Sequence, residues 1–293
     1  MKPVNILFPV FLLLLAQQFT SCTKSSGGGS GSGGATSPSS GLLLKTLTTI
    51  AIDPTSGSEA DSIRSAYNYD AQDRSTSITK YTYDPTQGKI VEQDTTTYAY
   101  GKGVITLTNQ LWTTGGGHTQ TVTTYFLNTA GTLADSSTVN TNTFSAPATT
   151  TLQSYSYDGN GYLVQQNNYD LTNGQPVLNN RAISTITGGN TVMTVDTLVT
   201  LLSIGGGQSF QFYDTISYTF TGMTIASQAH TISDYIGSYG VLGHPNVNFV
   251  QSLLQLGIGI TLVYTFDSQQ RVSIVTDNLG GVQKYATNYY TYY

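Results

Sequence analysis

Threonine and serine alternate with apolar or aromatic residues along most of this chain beyond its first 41 positions. The runs Gly103 to Trp112, Thr119 to Leu127 and Thr149 to Tyr157 repeat with a period of two, the period of a strand with one buried face. Further runs of this kind are Thr191 to Leu202, Gln208 to Phe220, Gly257 to Phe266 and Val282 to Tyr293. Glycine-rich stretches separate many of them, so the pattern predicts consecutive β-strands joined by turns.

A short phrase recurs at the ends of several runs: aromatic, any residue, aromatic, aspartate. It is spelled Tyr67-Asn68-Tyr69-Asp70, Tyr81-Thr82-Tyr83-Asp84, Tyr155-Ser156-Tyr157-Asp158 and Tyr264-Thr265-Phe266-Asp267. Two aromatics spaced by two residues share one face of a strand, and the aspartate that follows can bond its own backbone in an Asx turn. Each copy therefore predicts a strand end and a hairpin.

These signals predict an all-β domain, a long antiparallel meander of hairpins that forms a curled open sheet or half-barrel. A closed barrel and a two-sheet stack also satisfy the pattern, because a sheet of this length has to curl or cover its edges. Helical periodicity is nearly absent. We expect at most one short helix, over Asn246 to Leu256.

The N-terminal segment has the order of a targeting signal. Lys2 precedes the apolar stretch Ile6 to Ala16, and Phe19-Thr20-Ser21-Cys22 supplies small residues for cleavage. The segment resembles a bacterial lipoprotein signal with its lipobox, which implies cleavage before Cys22 and acylation of that cysteine, the only one in the chain. We therefore divide the chain into a signal peptide (1–21), a lipidated cysteine with a flexible glycine-serine tether (22–41) and one β-rich domain (42–293).

The charge composition limits the kinds of partner that the chain can bind. Only 9% of the residues are charged, and the formal net charge is −5. The chain therefore has neither a basic footprint for nucleic acid nor a polybasic patch for anionic lipid. The 21 tyrosines and the many threonines favour a folded sheet, because disordered chains are depleted in strand-forming residues.

The aromatic-aspartate phrases, the signal and the tether together resemble the YD-repeat-like envelope lipoproteins of Bacteroidota. The most similar stretch is Tyr264-Thr265-Phe266-Asp267-Ser268-Gln269-Gln270-Arg271-Val272, in which Gln270 stands where the family usually has glycine. This departure puts a left-handed turn residue at Gln270 in doubt. The resemblance implies a fold and an envelope location, but no catalytic residue.

The candidates for site chemistry have simpler explanations. His118, His230 and His244 lack the spacing of metal ligands, and Asp158-Gly159-Asn160-Gly161 lacks the later acidic ligands of a calcium loop. Asp70 with Asp73, and Glu92 with Asp94, could be paired acids of a glycosidase, but turns account for the aspartates that end the tyrosine phrases. We expect no enzymatic activity, no cofactor and no metal site.

Three functions remain open. The first is a lipid-anchored envelope protein whose sheet binds an envelope protein or a glycan without catalysis. Its candidate binding residues are Tyr67, Tyr69, Tyr81, Tyr83, Trp112, Tyr155, Tyr157 and Tyr264. The second is a carrier of a lipid or other apolar ligand, with Leu198 to Ile204 and Phe249 to Thr261 lining a trough. The third is an outer-membrane β-barrel, which the threonine-rich strands disfavour. We expect an outer-membrane lipoprotein, with the periplasmic face favoured over the cell surface.

Overall fold

The described residues form 16 β-strands and no helix. The structure is a computed structural model that describes residues 43–53, 56–144, 146–172, 174–198, 212–224, 242–243, 246–280 and 283–293. The strands are β1 (Leu44–Ile52), β2 (Glu59–Tyr69), β3 (Ser75–Asp84), β4 (Lys89–Gly101), β5 (Val104–Thr113), β6 (His118–Leu127), β7 (Ala134–Asn142), β8 (Thr149–Tyr157), β9 (Leu163–Thr172), β10 (Gln175–Thr187), β11 (Asn190–Leu198), β12 (Phe212–Thr224), β13 (Asn248–Gln255), β14 (Ile258–Phe266), β15 (Val272–Leu279) and β16 (Gln283–Tyr292). In this part of the chain, no helix is long and apolar enough to cross a membrane.

The strands close into a barrel in which every strand pairs antiparallel with its neighbours in sequence. β1 and β16 complete the ring, with Leu47 opposite Tyr290 and Thr49 opposite Asn288. The predicted all-β antiparallel meander is confirmed. The predicted open sheet or half-barrel is wrong, because the first and last strands meet and leave the ring without a free edge.

The predicted helix over Asn246 to Leu256 is also wrong. Most of this segment is β13, in which Leu253 pairs with Tyr218 on one side and Ile260 on the other. The spacing of the leucines in this segment fits both the helical period and the strand period. Pairing with two neighbouring strands decides between them, because it supplies backbone hydrogen bonds on both sides.

The ring has two different ends. We call the end where β1 begins and β16 ends the terminal rim, and the opposite end the far rim. The aspartate turns after Tyr69, Tyr157 and Phe266 all lie at the terminal rim. β12 also ends at this rim and β13 begins there, and more residues separate these two strands in the chain than separate any other consecutive pair.

Register and burial assign the two faces of the wall. Leu47, Ser65 and Tyr67 lie on one face and are at most 3% exposed, whereas Tyr81 and Tyr83 lie on the other and are 37% and 39% exposed. Since a closed wall hides its concave side from water, the first face is the inner one. Following the paired residues around the ring keeps this assignment consistent back to the β1–β16 seam.

The hydrophobic clusters of the described residues all lie on the inner face. One surrounds Tyr67 and Ile78, a second Ile105 and Tyr155, a third Phe249 and Val275, and the last lies midway along β12 to β14. The first three are near the terminal rim. Side chains of neighbouring strands therefore make a largely apolar inner layer at that end.

Candidate functional site in the barrel interior

The candidate aromatic residues do not form one surface. Tyr67, Tyr155 and Tyr264 point inward, and Tyr69 and Tyr157 pack against the inner clusters. Tyr81, Tyr83 and Trp112 lie on the outer face. Alternation explains the split. Each phrase places its two aromatics on one face of its strand, but in β3, which ends at the far rim, that face is the outer one, whereas in β2, β8 and β14 it is the inner one.

Inner tyrosines near the terminal rim donate their hydroxyls to backbone carbonyls at the start of the preceding odd-numbered strand. Tyr100 donates to Ser75 O (2.9 Å), Tyr157 to Ala134 O (2.8 Å) and Tyr292 to Val272 O (2.7 Å). The accepting residues are fully buried. These bonds give each hydroxyl a partner in a nearly dry environment, so these tyrosines tie hairpins together.

Arginine completes two of these units. Arg74 donates from Nε to Asp70 Oδ2 at 2.7 Å and lies 4.4 Å from the ring centroid of Tyr100. Arg271 does the same with Asp267 at 2.7 Å and with the Tyr292 ring at 4.5 Å. Each guanidinium is held between a carboxylate and an aromatic face, a favourable cation–π geometry. The recurring sequence phrase is therefore explained by hairpin construction.

The aspartate turns are built as the sequence predicted. Asp267 Oδ1 accepts from the amides of Gln269 (2.8 Å) and Arg271 (2.9 Å), and Asp158 Oδ1 accepts from Asn160 and Tyr162 (both 2.9 Å). Partial burial opposes ionisation of Asp267, but the bonds from Arg271 and Gln269 outweigh it and hold its pKa below the usual value. Asp158 therefore belongs to a turn.

Above the aromatic layer, the inner face becomes polar and acidic. Asn109 donates from Nδ2 to Asp94 Oδ1 and, at 3.0 Å, to Thr96 Oγ1. Lys80 Nζ lies 4.0 Å from Asp94 Oδ2. Glu92 lies on the same face, two residues before Asp94. Burial, and after it the negative charge of Asp94, raises the pKa of Glu92 above its usual value.

Further inner carboxylates lie on β11, β12 and β15. Asn288 donates to Asp277 Oδ2 at 3.2 Å and accepts from Thr49 Oγ1 at 2.7 Å. Burial raises the pKa of Asp277 to about 7 despite the bond from Asn288. Asp196 lies directly opposite Asp214 in the ladder, and burial followed by this like charge raises the pKa of Asp196 to about 6.

The inner wall is apolar between Asp196 and Asp214 on one side and Asp277 on the other. Ile216, Leu253 and Ile260 are at most 3% exposed and pack together on adjacent strands, with Leu262 and Leu279 against them. The predicted lining segment Phe249 to Thr261 thus contributes to the inner face. Of the other predicted segment, Leu198 to Ile204, all but Leu198 lies outside the described residues. Apolar area beside carboxylates suits a ligand with a long apolar part.

The outer face is uncharged over most of its area but is not apolar. Threonine recurs on it in neighbouring strands, as in Thr95, Thr97 and Thr108. Arg64 and Arg181 also point outward near the middle of β2 and β10. Among the positions that register assigns to this face in the described strands, outside bulges and hairpin ends, there is no carboxylate.

An aromatic stack stands on the outer face near the far rim. The rings of Trp112 and His118 are 3.6 Å apart and nearly parallel, and Phe144 stacks on the other side of His118 at 4.5 Å. Trp112 is 48% exposed and Phe144 63% exposed. Trp112 is thus the one predicted binding residue that joins a new cluster, which the sequence could not show because Phe144 comes from a different hairpin.

Cys22 and the tether lie outside the described residues, as do His230 and His244, so acylation of Cys22 stays a prediction. Sequence reasoning missed the inner carboxylates as a group. A signal was present for Asp214, which occupies the inward phase of a strand whose outward phase includes Thr215, Ser217 and Thr219, but not for Asp196, whose strand carries Met193 and Val195 on its outward phase.

Comparison with known proteins supports the fold. No protein-family model matches the chain, and no curated protein matches it by sequence. A crystal structure of a porin-like protein from Bacteroides uniformis ATCC 8492 is similar with a TM-score of 0.52 and 18% identity, over 86% of this chain and 98% of that one. A porin-like protein from Bacteroides vulgatus ATCC 8482 gives 0.25 and 10% identity, over 86% and 99% of the two chains, and that TM-score supports no inference.

Proposed function

We propose that this chain is an envelope carrier: a barrel that faces water on its outside and holds a lipid or another largely apolar ligand inside. The observation that carries the proposal is that the hydrophobic clusters lie on the inner face of the wall. Its hydrophobic clusters point inward, whereas the outward positions mix threonine, serine, amides, Arg64 and Arg181 with scattered apolar side chains such as Ile183, Leu254 and Val263. A membrane-spanning barrel has the reverse order, with an apolar band outside.

The size of the ring supports an occupant. Eight strands enclose a space that side chains just fill, and rings of 16 or more enclose considerably more. The described ring has 16 strands. Ile216, Leu253 and Ile260 give this space an apolar wall on which hydrocarbon can lie, and each buried methylene contributes about 0.8 kcal/mol to ligand binding.

Anchoring at the outer membrane through acylated Cys22 belongs to the same proposal. The carrier then stays at the envelope, and the barrel is free to move on its tether.

The test uses a secreted form in which residues 1–22 are replaced by a cleavable signal without a lipobox. We expect this form in the soluble periplasmic fraction, with lipid detectable by mass spectrometry after purification. Leu262→Gln introduces an amide into the inner apolar wall and should remove most of that lipid. Its control is Val263→Gln, which changes the next residue on the outer face. A purified protein free of lipid would count against the carrier.

An integral outer-membrane channel is the second candidate. It is favoured by the closed ring of even strand number and by the porin-like protein whose fold this chain shares. It would place Arg64 and Arg181 toward lipid, at a cost of up to about 2–4 kcal/mol each near the bilayer midplane. The same secreted form decides: a channel stays in the membrane pellet after alkaline washing and conducts ions in a planar bilayer.

A further inference from the structure

The two large apolar side chains with the highest exposed fractions in the described chain both lie at the far rim. Phe144, just after β7, is 63% exposed, and Leu256, between β13 and β14, is 57% exposed. Both also have a positive φ, +55° and +50°. A bulky side chain disfavours this conformation, because its Cβ comes too close to the following carbonyl oxygen. Two apolar residues are thus held at the surface on strained backbone.

Hairpin construction does not require leucine at position 256. Gln255 pairs with Ile258, so Leu256 and Gly257 form a two-residue loop, and φ is positive at both residues (+50° and +77°). Turns of this kind favour asparagine, aspartate or glycine at the first central position. Leucine there strains the backbone and gains little buried area within the fold. A residue that breaks a local rule without a structural gain indicates a function outside the fold.

The turn at Phe144 does not require a phenyl ring either. The amide of Phe144 donates to Asn142 Oδ1 at 2.9 Å, so the asparagine side chain holds the backbone. One face of the ring stacks on His118, and most of the side chain is still exposed. The terminal rim differs, since its non-glycine residues with a positive φ, Asp73 and Gln270, are both polar.

Further exposed apolar side chains follow the far rim around the ring. They lie at the ends of β3, β4, β5, β9 and β10 and are Tyr83, Ile90, Trp112, Leu171 and Val177. β13 lies halfway around the 16-strand ring from β5, so Leu256 and Trp112 are on opposite sides of it. Exposed apolar groups of this kind mark contacts with proteins or membranes. Their spread along a rim fits a broad, flat apolar phase better than one pocket of a partner protein.

We propose that the far rim docks on the surface of a neutral lipid bilayer, with Leu256 and Phe144 inserted among the acyl chains. Trp112 and Tyr83 then lie at the level of the headgroups, where a side chain with an apolar body and a polar tip is favoured. The inference goes beyond the carrier proposed above, because docking requires no ligand inside the barrel.

The charges at this end favour neutral lipid over anionic lipid. The described residues of the β1–β2 and β3–β4 connections and the strand ends beside them include the carboxylates of Asp53, Glu59 and Asp84, with Lys89 as the cation. Anionic headgroups would be repelled by this excess of negative charge. Burial of apolar side chains therefore has to supply the binding free energy.

The predicted anchor allows this orientation. β1 begins at the terminal rim, so acylated Cys22 would be connected to that end. The chain from Cys22 to Leu44 can reach up to about 70 Å when it is extended. Strands of 8 to 13 residues are about 26–43 Å long. The far rim can therefore turn towards the membrane that holds the anchor.

The test uses the secreted form described above and vesicles of phosphatidylcholine and phosphatidylethanolamine. We expect the parent protein to float with the vesicles in a density gradient, with little dependence on salt. Leu256→Asn combined with Phe144→Asn should weaken binding by about tenfold or more, because two apolar side chains are lost. Asparagine adopts a positive φ more readily than either residue, so this double variant should fold, which circular dichroism checks.

Val263→Gln is the matched control, because Val263 is 52% exposed but lies midway along the outer face of β14. It should float like the parent. A parent protein that does not float, a folded double variant that floats equally well, or a control that loses as much binding overturns the proposal. Dimers in analytical ultracentrifugation that the double variant abolishes, without flotation of the parent, would instead assign the rim to a second copy of the chain. Lipid inside the purified protein is measured separately, so docking and the carrier can fail independently.

Discussion

At the residue scale, the third position after the turn-forming Asp or Asn adopts a left-handed conformation in four turns of the terminal rim. It is Gly131 (φ +69°) and Gly161 (+85°) in two turns, but Asp73 and Gln270 (both +60°) in two others. The doubt about a left-handed residue at Gln270 is thereby resolved: the turn imposes the conformation on a side chain that disfavours it. The five hydrogen bonds around Asp267 compensate for the local strain.

Gln270→Gly should therefore stabilise the barrel. Glycine adopts a positive φ without a Cβ penalty, so we expect a gain of about 0.5–1 kcal/mol in the free energy of unfolding, measured by urea denaturation. Gly161→Ala is the converse change in the equivalent position of another turn and should destabilise. If both substitutions shift stability in the same direction, the turn equivalence is incorrect.

Asp277 predicts a pH dependence. Its pKa is about 7 in the folded protein against an ordinary value of 3.8. The native state therefore holds this proton more tightly than the unfolded state, and this residue's contribution to stability falls as pH rises from about 4 to 7. Asp277→Asn should raise the free energy of unfolding at pH 8 by about 2–4 kcal/mol and change it little at pH 4. A gain of equal size at both pH values would contradict the assignment.

At the element scale, the hairpin is the structural unit, and its tyrosine hydroxyl joins one strand to another. Tyr292→Phe deletes the bond to Val272 O and leaves a buried carbonyl without its partner. We expect a loss of about 1–2 kcal/mol in unfolding free energy. Tyr289→Phe, on the outer face of the same strand and 40% exposed, should change stability little in the same assay.

At the element scale, the aromatic-aspartate phrase correctly predicts turns, but it does not predict whether its aromatics lie on the inner or the outer face. Tyr67 and Tyr81 are each the first aromatic of their phrase, but Tyr67 is 1% exposed and Tyr81 is 37% exposed. Alternation determines that two aromatics share a face. It does not determine which face becomes concave, because that depends on the direction in which the whole sheet curls.

At the scale of the whole molecule, closure removes every free strand edge of the described ring. Ile50 pairs with Thr287 on β16 and with Ser62 on β2, so it lies at the seam. Ile50→Pro removes a ladder donor there and should open the ring, exposing two edges. We expect concentration-dependent oligomers in analytical ultracentrifugation. Ile50→Thr keeps the amide and a β-branched side chain and should remain in the parent's oligomeric state.

The sequence by itself determined what depends on near neighbours along the chain. Alternation of threonine with apolar residues determined the strands, and the aspartate after each aromatic pair determined the turns, because both act over a few residues. The tertiary structure alone decided that β1 meets β16, that Tyr67 faces inward and Tyr83 outward, and that Leu242 packs in one cluster with Ile105. These contacts join residues far apart in the chain. Their stability comes from area buried between whole elements, which no local pattern encodes.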